Sequence, residues 1–188
     1  MKQKTYLLNT NYFNIAAINR CTTSEGPYKR LAIWFQGCTF NCKGCCNPKL
    51  QKLEPANLLT LQDIIDEIKE AKRLFNIEGI TLTGGEPTLQ NNLTILCDEI
   101  RKMNIGIILF TGQLFNNLPK TLKKNIDTII DGRFNTQQID IDRKFIGSRN
   151  QKVYHITKRY SNDLFENLDK NAINVNIEHS IIINGDIF

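Results

Sequence analysis

The sequence has no long apolar run. Its apolar stretches, such as residues 105–110 and 181–183, are far shorter than the roughly 20 residues that cross a bilayer, so we expect no membrane helix. Internal repeats, low-complexity tracts and Gly/Ser linkers are absent as well, which excludes fibrous and modular chains. With 188 residues and 41% hydrophobic content, the chain is expected to form a single domain over residues 1–188 that buries its own core.

A large excess of charge of one sign is also missing. The 24 basic and 19 acidic residues leave a net charge of +5, which is spread over segments of mixed sign. The brief basic pairs at Lys123-Lys124 and Lys158-Arg159 are too small to indicate nucleic-acid binding. The first residues are polar and lack the apolar core of an export signal, which predicts a cytoplasmic protein with reduced cysteines.

Histidine and tryptophan are scarce. The two histidines, His155 and His179, lie in separate late segments without an obvious carboxylate partner, so we interpret both as structural residues. The single tryptophan, Trp34, lies in a strand-like run and is expected in the core or in a pocket wall.

Apolar periodicity predicts strands and helices that alternate along the chain. The predicted strands cover residues 31–36, 79–82, 105–110 and 126–131. The predicted helices cover residues 60–75, 88–103 and 113–124, and the first begins with the Thr60 and Asp63 pair that is typical of a helix start. Weaker patterns predict a strand at 152–157, a short helix at 162–168 and one or two strands within 174–184. The alternation favours an α/β fold with parallel strands, either an open sheet or a partial barrel.

Four of the six cysteines lie within nine residues, directly after the first predicted strand. Cys38, Cys42 and Cys45 have Cys-x3-Cys-x2-Cys spacing, which lets a short loop fold three thiolates around one centre, and thiolates favour zinc or iron–sulfur clusters. A reducing compartment disfavours disulfides. A zinc loop that recruits Cys21 or Cys46 as a fourth ligand stays open as an alternative, but an iron–sulfur centre is favoured.

Glycines mark three further turns at the ends of predicted strands. Gly84 and Gly85 precede Glu86 and Pro87 between a strand and a helix, where a backbone without side chains can approach a ligand closely. Thr111-Gly112 and Asp131-Gly132 end the next two strands and are candidates for a pocket rim. Because ligands bind at the carboxyl ends of parallel strands, these turns and the cysteine loop are expected to converge. Cys21 and Cys97 are assigned no role.

The cysteine loop and the Gly-Gly-Glu-Pro turn together resemble the paired signature of the radical S-adenosylmethionine superfamily. Within it, Glu25-Gly26-Pro27 and Gly44-Cys45-Cys46-Asn47-Pro48 resemble the glycyl-radical-enzyme activases, although Tyr28 stands where these usually have glycine and Cys46 where they have histidine. The segments Leu109-Phe110-Thr111-Gly112 and Asp131-Gly132-Arg133-Phe134, with residues 147–151, resemble the branch that activates anaerobic ribonucleoside-triphosphate reductase. The likeness spans about 26–154, and residues 161–188 are a C-terminal extension that it does not cover.

The resemblance implies a partial (β/α) barrel with two cofactors. Cys38, Cys42 and Cys45 would hold a 4Fe-4S cluster whose fourth iron is open to S-adenosylmethionine. Gly84, Gly85 and Glu86 would contact the methionine amino group of that cofactor. Gly44 and Cys46 would flank its adenosyl part, with Thr111 and Asp131 as further pocket residues.

The resemblance also implies the reaction and its partners. An electron from a reduced flavodoxin or ferredoxin would cleave S-adenosylmethionine into methionine and a deoxyadenosyl radical, which would take a hydrogen atom from a glycine of a partner such as anaerobic ribonucleotide reductase. Three alternatives stay open: a small-molecule enzyme similar to 7-carboxy-7-deazaguanine synthase, a non-enzymatic iron–sulfur electron carrier, and a zinc-stabilised scaffold.

Overall fold

The computed structural model describes residues 12–166 and the strands at residues 174–177 and 181–184. Its main sheet has seven strands: β1 (Tyr12–Thr22), β2 (Arg30–Phe35), β3 (Asn57–Thr60), β4 (Gly79–Gly84), β5 (Gly106–Thr111), β6 (Thr128–Asp131) and β7 (Lys152–His155). They lie in the order β3-β1-β2-β4-β5-β6-β7. Two further strands, β8 (Asn174–Ile177) and β9 (Ile181–Asn184), pair antiparallel with each other in a separate sheet.

The four central strands, β2, β4, β5 and β6, are parallel to one another, whereas β1, β3 and β7 pair antiparallel at the two sides. The expectation of parallel strands is therefore confirmed for the four strands that alternate with helices, and antiparallel strands flank them. The sequence patterns do not predict β1 and β3, because the buried Asn14 and Asn19 interrupt the apolar alternation of β1 and because β3 has only four residues. Asn14 illustrates the reason: its N–H donates to Gln90 at 2.9 Å and its side chain accepts from the N–H of Ala56 at 2.8 Å, so a polar residue is satisfied inside the sheet.

Helix α1 (Leu61–Phe75) confirms the prediction for residues 60–75. Thr60 is its N-cap, and Thr60 and Asp63 form a reciprocal capping box, which satisfies two N–H groups at the helix start. Asn76 ends the helix in the left-handed conformation. The buried residues Ile64, Ile65, Ile68 and Ala71 form the stripe that packs on the sheet.

The other two helices are shorter than predicted. Helix α2 (Leu93–Lys102) begins five residues later than expected, because residues 87–89 form a separate short 3-10 turn in which Thr88 bonds to Glu86. The predicted helix 113–124 is wrong over most of its length, since only α3 (Lys120–Lys123) and a 3-10 turn at 115–117 form. Pro119 holds the preceding Leu118 in an extended conformation, which interrupts the helix. Of the predicted helix at 162–168, residues 162–164 form a 3-10 turn, and the end of that range lies outside the described residues.

The sheet is covered on both faces. Alternate residues such as Ile107, Leu109 and Ile129 pack against α1, α2 and α3. On the opposite face, Ile108 and Ile130 pack against Ile146, Tyr160 and Phe165 from the segments that follow β6 and β7. Trp34 is 8% exposed on β2.

His155 has the structural role that its isolation predicts. Its ring bonds to Thr128 at 2.9 Å and to Asn162 at 3.0 Å, and it lies beside Phe165. His179 lies outside the described residues. Cys97 is fully buried on α2 among apolar side chains, as a core cysteine should be. No helix in the described part of the chain is long and apolar enough to cross a membrane.

Candidate active site

The cysteine loop leaves the carboxyl end of β2 through Gly37, whose φ of +98° is one that glycine adopts readily. The short 3-10 turn Pro48–Gln51 closes the loop, because Gly37 donates to the carbonyl of Leu50 at 2.8 Å and Cys38 to that of Gln51 at 3.2 Å. Within the loop, the N–H of Cys45 donates to the carbonyl of Cys42 at 3.3 Å. Both ends of the loop are therefore held while the thiols stay partly exposed.

The Gly-Gly-Glu-Pro turn packs directly on the start of this loop. The N–H of Gly85 donates to the carbonyl of Phe35 at 2.8 Å, and that of Glu86 donates to the carbonyl of Gly37 at 2.8 Å. A Cβ at Gly85 would overlap the carbonyl oxygen of Gly37, and one at Gly84 would overlap the backbone of Phe35. The two glycines thus permit a close contact between two backbones.

Glu86 is 1% exposed, and its carboxylate is saturated by hydrogen bonds from the protein. One oxygen accepts from Thr88 and, at 2.7 Å, from the Thr111 hydroxyl. The other accepts from the N–H of Gly112 at 2.8 Å. Glu86 therefore ties the end of β4 to the end of β5 with its side chain, which leaves its backbone as the part nearest the loop.

Thr111 and Asp131 are buried on the side of the sheet that carries the helices. Each lies two residues after a strand residue of the helix-facing core, Leu109 and Ile129 respectively, so the period of two directs it to the same face. The Asp131 carboxylate accepts from the N–H of Phe115 at 2.6 Å and from that of Lys152 at 3.3 Å. Both side chains therefore tie together the loops at this edge of the sheet.

Phe40, which the sequence analysis did not single out, joins the cysteine loop to the loops after β5 and β6. A Cβ at Gly112 would overlap its ring, and the Arg133 guanidinium lies 4.5 Å from the ring centroid. Gly44, with φ +71°, packs in the same way against Thr136 and Phe134. In the sequence, only position points to these two residues: Phe40 lies between the candidate ligands Cys38 and Cys42, and Arg133 follows the candidate rim residues Asp131-Gly132.

The thiols influence one another's ionisation. Burial raises the pKa of the Cys38 thiol, and negative charge at Glu86, Cys42 and Cys45 adds to the rise. A hydrogen bond from the Cys46 thiol lowers the pKa of Cys45 to about 6, and the same bond raises the pKa of Cys46. The Cys46 thiol is therefore a hydrogen-bond donor that favours the thiolate form of Cys45.

The donor set suits an iron–sulfur cluster better than a single metal ion. Thiolates are the ligands that both zinc and iron–sulfur clusters prefer. A structural zinc site usually takes four ligands, often as two separated Cys-x2-Cys pairs, whereas this loop offers three thiols at Cys-x3-Cys-x2-Cys spacing. Three partly exposed thiols in one short loop therefore fit a 4Fe-4S cluster with one open iron.

Comparison with known proteins finds two activating proteins of similar sequence and one similar solved structure. An anaerobic ribonucleoside-triphosphate reductase-activating protein of Vibrio cholerae is 28% identical over 157 residues, covering 78% of this chain and 96% of that protein. A pyruvate formate-lyase-activating enzyme of Staphylococcus aureus is 27% identical over 161 residues, covering 79% of this chain and 63% of that enzyme. The solved structure of QueE from Escherichia coli is similar at a TM-score of 0.45 and 12% identity, covering 73% of this chain and 78% of that chain.

A family model supplies the assignment. The model for a 4Fe-4S single cluster domain matches residues 24–154, which is more than half of the chain and includes the cysteine loop and all three glycine turns. The chain therefore belongs to the family of 4Fe-4S single cluster domains.

Proposed function

We propose that this protein is a radical S-adenosylmethionine enzyme that forms a glycyl radical on a partner enzyme, an anaerobic ribonucleotide reductase. The observation that carries the proposal is the contact of the Gly84–Glu86 turn with Gly37 and Leu50, the residues that flank the Cys38–Cys45 loop. This contact supports a site in which the thiols of the loop act beside a backbone turn suited to a small zwitterion. The family match and the names of the relatives support it. The ribonucleotide reductase branch is favoured because the alignment covers 96% of the relative so named and only 63% of the pyruvate formate-lyase-activating enzyme.

The cofactors supply the difficult chemistry, and the chain supplies position. When bound, the cluster would pass one donated electron to S-adenosylmethionine, whose sulfonium carbon–sulfur bond would break to give methionine and a deoxyadenosyl radical, and this radical would take a hydrogen atom from the α carbon of a partner glycine. Cys38, Cys42 and Cys45 hold the irons in this proposal. Phe40 and Gly44 seat their loop on the neighbouring loops, so the ligands stay in one arrangement.

The backbone groups of the glycine turn determine which end of S-adenosylmethionine it binds. The N–H groups of Gly85 and Glu86 already donate to Phe35 and Gly37. What remains for a ligand is carbonyl oxygen, which accepts from an ammonium group and repels a carboxylate. The turn therefore binds the methionine amino group through its backbone, while the Glu86 carboxylate holds the turn in place.

The finer features of the proposal concern shape and setting. We infer that the seven-stranded sheet is an incomplete barrel within a single domain over residues 1–188, and that its open side admits a glycine-bearing loop of the partner. Flavodoxin or ferredoxin serves as the electron donor in the cytoplasm, where the thiols stay reduced.

The test is anaerobic reconstitution with iron and sulfide, followed by electron paramagnetic resonance of the dithionite-reduced protein. We expect a reduced-cluster signal that changes shape when S-adenosylmethionine is added, together with methionine and deoxyadenosine as products. A cluster signal indifferent to S-adenosylmethionine would instead indicate an electron carrier. A chain that binds zinc but forms no cluster would refute the proposal.

A further inference from the structure

The cysteine loop is bordered by cations without matching carboxylates. Residues 38–52 contain Lys43, Lys49 and Lys52 but neither aspartate nor glutamate. Arg133 adds a fourth cation, because its guanidinium lies over the ring of Phe40, a residue between Cys38 and Cys42 in the sequence. We call the three exposed cations Lys43, Lys49 and Arg133 the basic rim.

The basic rim differs from the charged surface of helices α1 and α2. On the helix layer cations are paired, as with Lys69 and Asp66 at 3.5 Å or Lys102 and Glu99 at 2.6 Å. Within the described residues, no ion pair includes a member of the rim, and the adjacent Lys52 is 3.8 Å from Glu54.

The nearby carboxylates do not neutralise the rim. Glu86 and Asp131 are buried and bonded to backbone and hydroxyl donors, and the charge of Glu25 contributes to the raised pKa of the Cys46 thiol. The rim is therefore a positive surface that faces solvent around the proposed cluster.

We propose that the basic rim is the docking surface for an acidic one-electron carrier protein. This inference rests on the proposed function, which requires an electron to enter the cluster from outside. Electron transfer slows steeply with distance, so the donor must reach the loop that holds the cluster. Three thiolate ligands give that loop negative charge, which would repel an acidic donor unless cations outweigh it. Complementary charge also raises the rate at which two proteins meet.

The experiment measures reduction of the reconstituted cluster by two different reductants. Photoreduced flavodoxin tests docking, whereas dithionite needs no docking surface. The variant is Lys43→Glu/Lys49→Glu, and the matched control is Lys120→Glu/Lys124→Glu, which makes the same charge change at exposed lysines of the α3 region. Stopped-flow absorbance follows the cluster, and iron content per chain is measured for each protein.

We expect the rim variant to be reduced by flavodoxin about tenfold more slowly at low salt, with unchanged iron content and unchanged reduction by dithionite. The control variant should match the wild type. In the wild type, the flavodoxin rate should fall as salt is raised, because screening removes the attraction. This salt dependence tests the inference even if the rim variant assembles poorly.

Several results would overturn the inference. A flavodoxin rate indifferent to salt and to the rim charges would exclude docking there. An equal change with dithionite would mean that the lysines tune the cluster itself. Failure of the wild type to form a cluster that responds to S-adenosylmethionine would instead refute the proposed function, and this inference with it.

Discussion

At the scale of single residues, burial decides whether a candidate side chain can meet a ligand. The resemblance implies that Glu86 contacts the cofactor, and the place of Asp131 after a strand predicts a pocket residue. Both carboxylates are enclosed by donors from the protein. The cysteines of the loop are partly exposed, which leaves their sulfur atoms available. Polar residues at the strand ends therefore have two roles. The buried carboxylates hold the loops of the site together, whereas the partly exposed thiols are available to a ligand.

The three thiols of the loop should be separable from the other cysteines by iron content. We expect Cys38→Ala, Cys42→Ala and Cys45→Ala each to abolish cluster binding, because a three-thiolate set has no spare ligand. Cys97→Ala is the control, since that thiol is buried in the core. Iron and sulfide per chain after anaerobic reconstitution provide the measurement. Equal iron in all four variants would contradict the ligand assignment.

Glu86→Gln tests the buried carboxylate. An amide places an NH₂ group where the carboxylate accepts from Thr88 and Thr111 or from Gly112, so at least one buried donor loses its partner. We expect a loss of about 2–3 kcal/mol in the free energy of unfolding, measured by anaerobic urea denaturation. Glu54→Gln, at an exposed glutamate, should change it little. Equal stability of the two variants would show that the Glu86 bonds contribute nothing.

At the scale of elements, the site is a joint between two backbone segments. The turn after β4 and the loop after β2 touch through Gly85 and Gly37, and neighbouring parallel strands bring them together. Helix α1 occupies the crossover between β2 and β4, so its early capping box helps to set the position of the turn. The sequence predicts the cysteine loop and the glycine turn separately, but the contact between them depends on the order of the strands.

Gly85→Ala should disrupt this joint. The new methyl group would overlap the Gly37 carbonyl and lie 2.8 Å from that of Leu50, both of them rigid backbone atoms beside Cys38. We expect lower iron retention and a lower Tm. Gly147→Ala is the matched control, because its Cβ would meet only side chains, with the Phe134 ring nearest at 3.0 Å. Normal iron retention in Gly85→Ala would show that the loop and the turn move independently.

At the scale of the whole molecule, a buried polar joint links residues at the amino-terminal ends of the central strands, opposite the candidate site. Arg30 is fully buried and donates to Thr81, to the carbonyl of Ile80 and to Tyr160. Tyr160 in turn donates to Glu78 at 2.6 Å, and burial raises the pKa of its hydroxyl. The segment after β7 is thereby fastened to the strands that carry the site.

Tyr160→Phe should weaken the whole fold and leave the site chemistry intact. Removal of the hydroxyl takes one partner from Arg30 and one from Glu78, which predicts a loss of about 1–2 kcal/mol in the free energy of unfolding. Tyr28→Phe is the control, because Tyr28 is 54% exposed. Thermal unfolding of the anaerobic proteins gives the comparison. If Tyr160→Phe lost iron before it lost stability, the joint would have a direct role at the site.

Local sequence determined the features that depend on near neighbours. The sequence itself contains the spacing of Cys38, Cys42 and Cys45. It also predicts the glycine turn at Gly84 and Gly85, the capped helix α1 and the parallel central strands, because each depends on spacing or periodicity within a few residues. The family of the chain follows from the same motifs.

Tertiary structure alone decided the features that depend on distant partners. Strands β1 and β3 form around asparagines whose partners lie 40 or more residues away. Thr111 and Asp131 face the helices because strand parity sets their direction. Phe40 and Arg133 meet only because the loops after β2 and β6 share one edge of the sheet. Local patterns specify chemistry and backbone conformation, whereas the packing of strands selects which of those groups meet.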